Sequence, residues 1–101
     1  MIKVTVSKDN EVIKNITIKG HANYAPYGKD IVCASVSTLV ITSINNIISL
    51  DNKSVKYDIK NDSTYIELLS NSNIAISILN NMINSLIELE SNYPKNIKVT
   101  M

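Results

Sequence analysis

The sequence predicts an α+β domain in which two helices pack on a mixed sheet of about five strands, in the order ββαββαβ. Two observations carry that reading. Apolar residues recur at three- and four-residue spacing in two long segments, and they alternate singly in the segments on either side. The breaks fall where turn-forming residues gather: both glycines and Pro26 in one gap, Pro94 in another.

Taken in order, residues 2–7 alternate as a first strand, and Lys8-Asp9-Asn10 supplies a turn. Residues 11–19, rich in Ile and Thr, form the second strand, and residues 20–30 form a loop. From Val32 to about Leu50, the residues Val36, Leu39, Val40, Ile44, Ile47 and Ile48 fall on one side of a helix. Val55, Tyr57 and Ile59 then alternate with Lys56, Asp58 and Lys60 in a third strand. Asn61-Asp62 turns the chain, and Thr64 to Leu69 return as the partner strand. A second helix runs from about Asn73 to Ser91, with Ala75, Ile78, Leu79, Met82, Ile83, Leu86 and Leu89 on one side. Pro94 has no N–H to donate and stops it. Ile97, Val99 and Met101 mark a last short strand.

The 101 residues suit one domain, 1–101, with a radius of gyration of about 13 Å. In so small a body any site is open to a face or shared with a partner subunit. Hydrophobic residues make up 45% of the chain, but there is no Trp and no Phe, so Ile, Leu and Val must fill the core. Ten basic and nine acidic residues leave a formal charge of +1 with no block of one sign. Nothing here marks a polyanion-binding face or a polybasic anchor, so no direct nucleic-acid partner is expected. The start alternates rather than running apolar as a secretory signal does. The apolar stretches are broken by Ser, Thr and Asn before a spanning length. The expectation is a soluble cytoplasmic protein with no membrane partner. One Cys excludes an intrachain disulfide and multi-cysteine metal sites. With one His and no carboxylate cluster, no metal or other cofactor is expected.

That His and that Cys lie twelve residues apart, at the two ends of the glycine-containing loop. Asp30 precedes the first helix and suits an N-cap, which puts Cys33 in the first turn. The positive end of a helix dipole and the free N–H groups of a first turn favour a thiolate over a thiol. They also offer donors to an oxyanion. His21, at the end of the second strand, is placed to take the thiol proton. Ser37 falls one turn beyond Cys33, where it either lines the site or bonds back to its own helix. Tyr24, Tyr27 and Gly28 lie between base and nucleophile, and residues 22–29 are expected to form a cover that orders on substrate. The residues alone leave Cys33 open to a second reading, a small hydrophobe packed in a helix.

Gly20-His21-Ala22, followed by Tyr27-Gly28-Lys29-Asp30-Ile31-Val32-Cys33-Ala34-Ser35-Val36-Ser37, resembles the signature of the ribosomal-processing cysteine protease (Prp) family. Chain length and element order agree with that family from end to end. The resemblance implies a small homodimeric endopeptidase that removes a short N-terminal extension from a bacterial large-subunit ribosomal protein precursor. The cut it implies falls after an aromatic residue and before a small one. It implies His21 and Cys33 as the catalytic pair, with Asp30 and Ser37 in support. The competing reading is a non-catalytic ribosome-assembly or RNA-contacting module with a structural Cys. Near-neutral charge and the lack of Phe or Trp platforms argue against it.

Overall fold

A computed structural model describes residues 1–101. Its elements are β1 (Ile2–Asp9), β2 (Val12–Lys19), α1 (Ile31–Leu50), β3 (Val55–Ile59), β4 (Ser63–Leu68), α2 (Asn73–Asn92) and β5 (Ile97–Thr100). The order ββαββαβ and the two-helix, five-strand composition are as the sequence predicts, and the radius of gyration is 13.1 Å.

The sheet runs β3-β4-β2-β1-β5. β5 lies parallel to β1 and all other pairs are antiparallel, which makes the sheet mixed. Register puts the apolar side chains on one face: Val4 pairs with Ile18 and Val99, Val6 with Ile16, and Ile16 with Ile66. The opposite face carries the pairs Lys3–Lys19, Thr5–Thr17 and Asn15–Glu67. Both helices therefore bury their stripes on the single apolar face. Val36, Val40, Ile44 and Ile47 of α1 meet Leu79, Met82, Ile83 and Leu86 of α2 in one core with Ile16, Ile66 and Ile97.

Two expectations change. The first hairpin turns at Asn10-Glu11, not at Lys8–Asn10; both residues have positive φ, +53° and +69°. That two-residue turn matches the right-handed twist of the strands it joins, and β1 gains Lys8 and Asp9 after a register shift at Ser7/Lys8. The second change concerns α1, which is long and apolar enough to cross a membrane by length and composition. The expectation that every apolar run stops short does not hold for this helix. Its inner stripe is nevertheless packed in the core, as in the core helix of a folded domain.

Candidate active site

β2 ends at Lys19, and Gly20 then turns the chain with φ +95°, a conformation that glycine adopts without steric cost. The turn is held from two sides. Gly20 N–H donates to Asp62 O in the β3–β4 turn, and the Gly20 Cα lies so close to Met1 O that a Cβ would sit 2.6 Å from it. His21 follows, exposed, and then Ala22, which is buried.

The loop meets α1 at Asp30. Its Oδ1 accepts from Val32 N–H and Cys33 N–H, both at 3.0 Å, and its Oδ2 accepts from Tyr24 N–H at 3.0 Å. One carboxylate thus caps the helix and pins the loop. Burial alone would push the Asp30 carboxyl up. The N–H groups of Cys33, Tyr24 and Ala25, with the Cys33 side chain, outweigh it and hold the group below its ordinary 3.8. The sign follows from linkage: a lowered folded value adds stability above 3.8, and that stability is lost as pH falls through the folded value. Asp30→Asn can still cap but does not titrate. The melting-temperature gap between wild type and Asp30→Asn should be widest at neutral pH and close below 3.8. A gap that stays constant down the acid limb would show that the charge adds nothing.

Cys33, the third residue of α1, is half-buried. Its Sγ accepts a hydrogen bond from Ala22 N–H at 3.3 Å, so the residue after His21 touches the sulfur. The bond to Sγ comes from this main-chain group rather than from the imidazole. The expected use of first-turn N–H groups for an oxyanion meets competition. Val32 and Cys33 already donate to the Asp30 carboxylate, and Ala34 N–H donates to the Asp30 carbonyl. The cap consumes what the oxyanion would need.

His21, Asp30, Cys33 and Ser37 all line one open cleft of about 700 Å³, with Tyr27 and Gly28 on the loop side. Ser37 is exposed in the cleft wall, whereas Ser35 and Ser43 bond back to carbonyls one turn earlier. Tyr27 stands free and Gly28 has open space around it. Tyr24 is not in the cleft: its ring packs edge-on against Tyr93, with centroids 5.4 Å apart. The loop is thus divided, with residues 22 and 24 bonded to the body of the fold and Tyr27 and Gly28 exposed beside the cleft. Sequence reasoning missed the far wall, formed by Ile59, the β3–β4 turn from Lys60 to Asp62, and Ser63 and Thr64 at the start of β4. It also missed Asn96, whose Nδ2 donates to Ala22 O at 3.0 Å. No local pattern marks either one.

A thiol in the first turn of a helix and an imidazole one residue from its sulfur's donor, opening on a shared cleft, place the molecule among the cysteine hydrolases of α+β build. The chain belongs to the cysteine protease Prp family, whose model matches residues 1–98. It is 33% identical over 101 residues to the ribosomal processing cysteine protease Prp of Staphylococcus aureus, covering 97% of this chain and 94% of that one. The Bacillus subtilis relative of the same name is 31% identical over 108 residues, covering 99% and 96%. A crystal structure of the S. aureus protease with a covalently linked product peptide superposes with a TM-score of 0.94 at 31% identity, covering 99% of this chain and 98% of that one. The reading as a non-catalytic assembly module gives way to a cysteine protease.

Proposed function

We propose that this protein is an endopeptidase that removes the short N-terminal extension of a large-subunit ribosomal protein precursor, with Cys33 as nucleophile and His21 as general base. The observation that carries it is the 3.3 Å contact from Ala22 N–H to Cys33 Sγ, which sets the His21 main chain beside the sulfur at the mouth of a cleft. The imidazole takes the Sγ proton, and the thiolate adds to the carbonyl carbon of the scissile peptide. As the C–N bond breaks, the imidazolium returns that proton to the leaving amine. Water, deprotonated by the same imidazole, then hydrolyses the thioester and frees the thiol. The covalently linked product peptide of the S. aureus complex supports this acyl-enzyme route. Asp30 and Ser37 support the pair, one as cap and one as cleft wall. The relatives are named for ribosomal processing, which supports a cytoplasmic site of action for this chain.

The cleft wall supports a substrate with an aromatic residue before the cut. Ile18, Val40, Ile41 and Ile59 give it an aliphatic lining, and Tyr27 stands at the loop side. The test is cleavage, read by mass spectrometry, of the precursor's N-terminal peptide carrying Phe before a small residue. Replacing that Phe with Asp should slow cleavage by about a hundredfold, since a carboxylate would be desolvated without a partner. No cleavage of the precursor would remove the substrate assignment, and equal cleavage of both peptides would remove the aliphatic pocket.

A homodimer is supported by the outer face of α1. Ser35, Thr38, Thr42 and Asn45 are exposed there outside the cleft, and the helix carries no charged residue at all. A second copy covering this face would explain an uncharged surface. Sedimentation as a monomer at working concentration would remove it.

A further inference from the structure

We propose that Asn96, in the turn between α2 and β5, is a positioning residue for the reactive thiol. It holds Ala22 by its carbonyl so that the Ala22 N–H stays aimed at Cys33 Sγ. The proposal rests on the reading of Cys33 as nucleophile. Ala22 is 1% exposed, so its carbonyl has no water to turn to, and Asn96 Nδ2 donates to it at 3.0 Å across 74 residues of sequence. Asn96 is itself fixed at both main-chain groups. Its N–H donates to Tyr93 O and its carbonyl accepts from Ile2 N–H, each at 2.9 Å. The amide is therefore mounted on the end of α2 and the start of β1, two parts of the rigid core, rather than on the loop it holds.

The same turn grips the loop a second time, through the edge-on packing of Tyr93 on Tyr24. Residues 22 and 24 are thus pinned on either side of Asn23, whose φ is +55°. From there the path returns to the thiol, because Tyr24 N–H donates to Asp30 Oδ2 while Asp30 Oδ1 accepts from Cys33 N–H. Asn96, Ala22, Cys33, Asp30, Tyr24 and Tyr93 close a ring of contacts around the sulfur. From the loop, the Ala22 N–H of that ring donates to Sγ itself. A donor placed on a thiolate by a fixed scaffold acts before and during attack without having to reorganise.

A purely structural Asn96 would lower stability and leave the chemistry of folded molecules alone. The test therefore measures kcat and KM on the precursor peptide, and the rate of iodoacetamide alkylation of Cys33 across pH. Both are read well below each variant's melting temperature. Asn96→Asp keeps the shape but loses the donor and sets an oxygen against Ala22 O. Asn96→Ala, measured alongside, removes the donor without that repulsion and covers the case in which the aspartate does not fold. Ile66→Val, a core trim on β4 outside the cleft, is the control for lost stability. The expected result is a kcat lower by about tenfold with KM within about twofold, and alkylation slowed by a similar factor with its pH midpoint moved upward. Ile66→Val should show none of these. Wild-type kcat and alkylation in folded Asn96 variants would overturn the proposal, and so would a rise in KM alone. Full activity of Cys33→Ala would instead overturn the nucleophile reading on which it rests.

Discussion

Cys33→Ala should abolish peptide cleavage while leaving the fold in place, and His21→Ala should slow cleavage by about 10²–10⁴-fold. Cys33 is half-buried in the first turn of α1, and its sulfur packs against the core edge, accepting a hydrogen bond from Ala22 N–H. Alanine keeps the helix, the Asp30 cap and the neighbouring core residue Val32, so the melting temperature should fall by only a few degrees. What it loses is the only thiol in the chain. Cys33→Ser should be nearly as inactive, because a hydroxyl is a far weaker acid and the single imidazole does not ionise it as readily. His21 is exposed on the cleft wall, so His21→Ala should leave stability unchanged within error while removing proton transfer at both the thiol and the leaving amine. Cleavage of the precursor peptide, measured beside thermal melts, checks the set. Undiminished turnover by Cys33→Ala would end the thiol mechanism, and undiminished turnover by His21→Ala would transfer the base role to another group.

Which parts of this were legible in the sequence follows from how local each cause is. The helices are local: three- and four-residue spacing shows in any window, and both span the expected residues to within a position at either end. The cap is local too, since Asp30 reaches Val32 and Cys33 within three residues. That is why the helix start, and Cys33 in its first turn, can be placed from neighbouring residues alone. The first hairpin was less legible because its turn puts Glu11 at φ +69°, where glycine or asparagine is the usual occupant. The cap's effect on the oxyanion donors needed the geometry, because composition does not say which N–H groups are already engaged. Tyr24 was expected beside the substrate and lies against Tyr93, which is far along the chain. Asn96 is one asparagine among many in the sequence, and only the fold brings it to Ala22.

Gly20→Ala should damage the site more than any other single methyl group added to the loop, costing about a hundredfold in kcat/KM and lowering the melting temperature. Two causes act at once. The backbone at Gly20 has φ +95°, where an L side chain is strained by roughly 1–3 kcal/mol. In addition, the new Cβ would lie 2.6 Å from Met1 O, a backbone atom at the head of β1 that has no rotamer by which to move aside. One main chain must shift, and the shift is not absorbed harmlessly. Gly20 N–H is bonded to Asp62 O on one side, and His21 is the next residue on the other. With His21 as the proposed base, a displacement of about 1 Å there should cost about a hundredfold in rate. Gly28→Ala separates the two causes, since Gly28 has φ +83° but nothing within 4 Å of its Cβ position. It should show the strain without the collision: some loss of stability, with a cleavage rate within a few fold of wild type. The pair is measured by thermal melts and by cleavage of the same precursor peptide. Equal effects from the two substitutions would show that strain alone matters at Gly20. A Gly20→Ala protein with wild-type rate and stability would show that the β1 end yields freely, and that the close approach to Met1 has no part in setting His21.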